Sequence, residues 1–156
     1  MRSFLSIHAN AAQSPEAEGI ELYYLNRASD RSSEKLARRE NGPMKVKNEK
    51  EIHAILSDLI QAAATEESAL LAKDVKSQLC ALQKKFQIED IKVKTALFYV
   101  LVGAKCPSLL IEVGFVTHSK ESKRLKSEKF QKQFADSIAE GVKNYWQQFE
   151  KEGGDL

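Results

Sequence analysis

Two short segments far apart in the chain each run an uninterrupted apolar stretch into one ionisable residue. They are Phe4-Leu5-Ser6-Ile7-His8-Ala9-Asn10-Ala11 and Ser108-Leu109-Leu110-Ile111-Glu112-Val113-Gly114-Phe115. A continuous apolar run of this length predicts a strand buried on both faces, as in the parallel sheets of α/β proteins. A second strand is predicted over Ile20–Leu25, which alternates and is rich in β-favouring aromatics, and a third over Ala96–Leu101. Between the strands the period lengthens. Ser29-Asp30 caps a short helix through Arg39, which Asn41-Gly42-Pro43 ends. Asn48 opens a helix striped by Ile52, Ile55, Leu56, Leu59 and Ile60. Thr65-Glu66-Glu67 opens another, carrying Leu70, Leu71, Val75, Leu79 and Leu82 toward a core. Ser119 caps a short helix containing Leu125. The last helix has the clearest period: Phe130, Phe134, Ile138, Val142 and Tyr145, then Trp146 and Phe149.

Strands alternating with helices predict an α/β fold with a mostly parallel sheet flanked by helices. Such sheets collect functional groups in the crevice at the carboxyl ends of their strands. A histidine and a glutamate delivered there, His8 and Glu112, point to a metal or acid–base site. The bland alternatives are a hydrogen-bonded core histidine and a paired strand-end glutamate. His53 reads as a helix flank and His118 as a solvated turn. Cys80 and Cys106 lack metal-ligand spacing and read as unpaired packing residues.

The size suits one domain. A formal net charge of +2, with acids and bases intermixed, gives no electrostatic steering toward nucleic acid. The basic run Lys45-Val46-Lys47 has no interleaved aromatics for base stacking. No apolar run approaches the roughly 20 residues of a membrane span. The amino terminus has no secretory-signal pattern, and Met1-Arg2-Ser3 leads at once into the first strand. This start predicts a chain beginning within a domain.

The segments Phe4–Ala11, Gly19–Leu25, Thr95–Leu101 and Pro107–Phe115, with the closing positions Glu121, Leu125, Ala135, Ile138, Gly141 and Tyr145, together resemble the zinc-dependent N-acetylmuramoyl-L-alanine amidases. The resemblance runs from Phe4 to Trp146 in the family's order. It implies that His8 is a zinc ligand and Glu112 the catalytic acid/base, in a hydrolase cutting the bond between N-acetylmuramic acid and the stem peptide's L-alanine. It further implies a peptidoglycan substrate, an activator protein as partner, and a periplasmic or extracellular location. By the same resemblance, residues 1–149 are the carboxyl-terminal portion of a catalytic domain whose first strands are missing. Residues 26–64 are a helical insert or lid, or else a plain helical hairpin, and residues 150–156 a disordered tail. The family's other two zinc ligands lie upstream of the matched segment. Lys92 replaces a glycine and Thr117-His118 a Ser-Asn pair of the family pattern. The rival readings are a non-catalytic descendant that binds peptidoglycan or a partner, and an incomplete reading of a longer gene.

Overall fold

The computed structural model describes residues 2–42 and 64–151. Four strands form one mixed sheet: β1 (Phe4–Asn10), β2 (Ile20–Leu25), β3 (Ile91–Ala96) and β4 (Ser108–Phe115). Their spatial order is β1-β4-β2-β3. The β1–β4 and β2–β3 pairs are parallel, while β2 and β4 run antiparallel. Among the described residues five α-helices accompany them: α1 (Arg31–Asn41), α2 (Thr65–Cys80), α3 (Gln83–Phe86), α4 (Ser119–Leu125) and α5 (Glu128–Lys151). The α/β expectation holds, with two of the three strand pairings parallel.

Strand alternation divides the core in two. Ile20 and Leu22 of β2 and Leu109 and Ile111 of β4 face α2 and α5, meeting Leu71, Val75, Leu79, Phe130, Phe134 and Ile138. The intervening positions Tyr23, Leu25 and Leu110 face the other way, with Leu36 and Ala37 of α1. Against that second face pack Phe98 and Leu101. Tyr23 and Phe98 meet edge to face at 5.0 Å.

Helices α2 and α5 cross with almost no gap. A Cβ added at Gly141 would lie 2.6 Å from the Val75 Cα, so only hydrogen fits there. Gly141→Ala is therefore expected to lower stability by about 1–3 kcal/mol, read by chemical denaturation, since the obstacle is backbone.

Several expectations need correction. β1 is not buried on both faces: among the described residues it ends the sheet, and Phe4 and Ile7 are exposed. The strand predicted at Ala96–Leu101 lies earlier, at Ile91–Ala96, and Tyr99–Leu101 is a 3-10 turn. Leu70 points to solvent. Cys80 is exposed rather than a packing residue. α4 is capped by His118, not Ser119, and the His118 Nδ1 accepts from the Glu121 N–H at 3.4 Å. α5 continues through Lys151, past the predicted start of the tail at residue 150. The helix expected from Asn48, with His53, lies outside the described residues.

Candidate active site

His8 and Glu112 are paired neighbours on β1 and β4. Glu21 of β2 stands opposite Glu112 on its other side. Register partners project from the same face, so three ionisable side chains form a row across the sheet, on the side where α1 packs. The chain folds this way because positions 8, 21 and 112 share parity with the second core, not the first.

Just past Glu112 the sheet is interrupted. His8 pairs with Glu112 but Asn10 pairs with Phe115, so β4 bulges by one residue. Gly114 takes φ +143° within the bulge, a conformation that L side chains rarely adopt. The irregularity aims the Phe115 N–H at the Glu121 Oε2, 2.6 Å away. Glu121 Oε1 accepts from the Gly19 N–H at 3.0 Å and also pairs with Arg124. One buried carboxylate thus fixes both the strand end beyond Glu112 and the loop entering β2.

α1 brings the remaining charges. Asp30 caps it by accepting from the Ser33 N–H at 2.8 Å. Hydrogen bonds from Ser32 and Ser33 hold the Asp30 carboxyl well below the usual carboxylate range. At the other end, Asn41 donates to the Leu97 carbonyl at 2.7 Å and accepts from the Tyr99 N–H at 2.8 Å. The last turn, so anchored, presents Arg39 and Glu40. Glu40 Oε2 lies 3.4 Å from His8 Nδ1. Arg39 donates to Asn10 Oδ1 at 2.9 Å, to the Ala11 carbonyl, and to Glu40 Oε1 at 3.2 Å. Glu21 accepts from the Tyr23 hydroxyl at 2.8 Å and pairs with Lys94 at 2.8 Å, and Lys94 also reaches Asp30 at 3.3 Å.

In the row His8, Glu112, Glu21, the carboxylate of Glu112 is left without a partner among the described residues. It is 1% exposed, and neither carboxylate oxygen has a hydrogen bond among the described residues. Burial pushes its pKa up to about 7; the Glu40 charge adds to the rise, Arg39 opposes it and Glu21 adds a smaller part. A carboxyl poised near neutrality can take up a proton and return it.

The described residues contain no cluster of three His, Cys, Asp or Glu side chains that could hold a metal ion. His8, one-third exposed and on the same sheet face as an unpartnered carboxylate, suits the part of a single ligand. A polar cleft of about 1020 Å³ lies nearby, lined by Asn10, Glu21, Arg39, Lys92 and Lys94 among others. His8 and Glu112 do not line it, but Glu21 and Arg39 connect the two regions.

Of these groups, Glu21, Arg39, Glu40 and Lys94 were not expected from the sequence. Two of them left a trace. Glu40 is an acid in the last turn of a helix, where the dipole disfavours negative charge. Glu21 is a carboxylate inside an otherwise apolar strand.

Residues 1–144 match the sequence profile of the N-acetylmuramoyl-L-alanine amidase family. The N-acetylmuramoyl-L-alanine amidase AmiC of Neisseria meningitidis is 34% identical over 149 residues, covering 91% of this chain and 35% of that protein. AmiA of Escherichia coli is 29% identical, covering 96% of this chain and 53% of that protein. The crystal structure of an N-acetylmuramoyl-L-alanine amidase from Clostridium difficile 630 superposes with a TM-score of 0.59 at 24% identity, over 93% of this chain and 57% of that one. This last likeness speaks to fold alone. The chain spans about half the length of the Escherichia coli relative and about a third of the Neisseria one. With its profile match reaching from the first strand into the last helix, the chain belongs to the N-acetylmuramoyl-L-alanine amidase family.

Proposed function

We propose that this chain is the carboxyl-terminal portion of a zinc-dependent peptidoglycan amidase, which hydrolyses the amide joining N-acetylmuramic acid to the L-alanine of the stem peptide. Family membership supports the substrate. The observation that carries the chemistry is Glu112, buried, unpartnered and held near neutrality beside His8.

Glu112 acts first as base. It takes a proton from water as the water oxygen bonds to the amide carbonyl carbon. It then returns that proton to the alanine nitrogen as the carbon–nitrogen bond breaks, leaving a lactyl carboxylate on the glycan and a free amino group on the peptide. Glu21 is occupied by Tyr23 and Lys94, and Asp30 by its cap, so neither competes for this role. Because Glu112 is 1% exposed, its surroundings must open before substrate reaches it.

His8 contributes one zinc ligand in this reading, and the other protein ligands come from the part of the domain that the chain does not span. Zinc, when bound, polarises the scissile carbonyl and acidifies water. Catalytic zinc typically takes three protein ligands, so the chain by itself is expected to bind zinc weakly and to show little turnover. Metal-stripped protein titrated with zinc, with metal content and stem-peptide release both measured, checks this. His8→Ala should lower the zinc content of the completed domain, and Glu112→Gln should leave it unchanged. Stoichiometric tight zinc on residues 1–156 alone, together with turnover, would show that further ligands lie within the chain.

The action on peptidoglycan puts the protein outside the cytoplasm, periplasmic or extracellular. Among the described residues no helix is long and apolar enough to cross a membrane. An activator protein fits this reading: the CwlD amidase of Clostridioides difficile, which this chain matches at a TM-score of 0.57, was solved in complex with the GerS lipoprotein. A non-catalytic descendant that binds peptidoglycan or a partner through the same cleft is the second reading. Hydrolysis by the completed domain would exclude it.

A further inference from the structure

The row that holds His8, Glu112 and Glu21 extends one strand further. Lys92 of β3 is the register partner of Glu21, so the row runs across all four described strands on one face of the sheet. Neighbouring strands lie about 4.7–4.9 Å apart, which sets Lys92 roughly 10 Å from Glu112. There Lys92 lines the polar cleft of about 1020 Å³, half exposed. Above it, Ser32, Lys35 and Arg39 of α1 line the same cleft, at spacings that share one helix face.

Several of the charges in the cleft are already matched. Lys94 pairs with Glu21 and Asp30, and Arg39 with Glu40 and the Asn10 side chain. Glu18 faces His118 at 3.7 Å. Lys35, Glu16 and Glu89 are different: among the described residues their side chains have no ion pair and no hydrogen bond. Lys92 has only Asp90, at 3.4 Å, and an exposed pair of this kind yields readily to a ligand. The unmatched charges are also sorted by element. Lys35 and Lys92 come from α1 and β3, while Glu16 and Glu89 come from the loops that enter β2 and β3. A cleft with open charges of both signs suits a ligand that carries both signs, because each open group then gains a charge-assisted hydrogen bond.

We propose that this cleft selects the third residue of the stem peptide by a side chain ending in both a free ammonium and a free carboxylate. Lys35 and Lys92 take the carboxylate, and Glu16 and Glu89 the ammonium. The proposal rests on the reaction proposed above, which puts the alanine nitrogen at Glu112. An extended peptide advances about 3.3–3.6 Å per residue, so the third side chain from that nitrogen spans the distance to Lys92. The four side chains determine specificity; they do not touch the scissile bond.

The test needs no zinc and no turnover. The full 156-residue chain is titrated with three synthetic stem tripeptides, and binding is followed by NMR. All three begin with L-alanine and have an amidated carboxyl terminus. The third side chain ends in both charges in the first probe, in ammonium and carboxamide in the second, and in carboxylate alone in the third. The first should bind about threefold to fivefold more tightly than either other, the scale of one exposed ion pair. Lys35→Ala should erase the preference over the second probe and Lys35→Arg should keep it. Glu16→Gln with Glu89→Gln should erase the preference over the third. All of these positions are exposed, so the variants should fold. Equal binding of the three probes, preferences that survive the variants, or shifts confined to residues outside the cleft would overturn the proposal. Selective binding without peptide release by the completed domain would retain it and count against the proposed reaction. Release without selectivity would do the reverse.

Discussion

Replacing Glu121 with alanine is expected to destabilise the chain by about 3–5 kcal/mol, the range for removing one partner of a buried ion pair. Glu121 is fully buried, pairs with Arg124, and accepts from the Gly19 and Phe115 N–H groups. Alanine would strand two amide donors away from water and leave the Arg124 guanidinium with only the Phe86 and Gln87 carbonyls, and each unpaired group carries its own desolvation penalty. Against a typical domain stability of about 5–15 kcal/mol, this is a large share. Urea denaturation at neutral pH reads it directly. Glu121→Gln should fall between the two, because its amide oxygen keeps one acceptor but loses the charge. A loss below about 1 kcal/mol for alanine would mean that the carboxylate does not hold the β2 entry and the β4 bulge together.

The second large effect has opposite signs for stability and catalysis. Glu112 has a folded pKa of about 7 against an ordinary value of 4.5. Below the lower value the group is protonated in both states and contributes no pH dependence. As pH rises from 4.5 to 7 the unfolded chain ionises this carboxyl while the folded state keeps it protonated, so stability falls across that window and levels off above 7. Glu112→Gln removes the charge. It should stabilise the chain by roughly 1–3 kcal/mol at pH 8, with the gain shrinking as pH falls from 7 and disappearing by about pH 4. In the completed domain the same substitution should reduce hydrolysis by about 10²–10⁴-fold, the usual contribution of a general acid–base group. Denaturation curves at the two pH values and a peptide-release assay check the two halves separately.

Much of this arrangement was legible in the residues. Phe4–His8 and Leu109–Glu112 are strands because apolar runs of that length leave few other options, and their parallel pairing brings His8 beside Glu112. The Asp30 cap and the stripe on α5 were also readable, since local hydrogen bonding and helical spacing determine them. Three things were not. Ala96–Leu101 is more apolar than Ile91–Ala96, so periodicity placed the strand too late. The structure gives the outer pairing to Ile91–Ala96, whose Lys92 and Lys94 suit a sheet edge, and turns Phe98 and Leu101 into the second core. β1 looked buried because its sequence is apolar, whereas its exposure depends on which strands lie beside it. The charges around Glu112 were hidden because Arg39 and Glu40 arrive from a helix whose docking is tertiary, fixed by the hold of Asn41 on Leu97 and Tyr99.

The central claim is that Glu112, held neutral-ready beside His8, is the acid/base of a muramoyl-alanine amidase. The most direct measurement is the release of stem peptides with a free L-alanine amino terminus from purified peptidoglycan. It compares the zinc-loaded completed domain carrying Glu112 with the same domain carrying Glu112→Gln. Release is expected from the first, and from the second a rate lower by about 10²–10⁴-fold with zinc content unchanged. Near-normal release by the Glu112→Gln protein would contradict it.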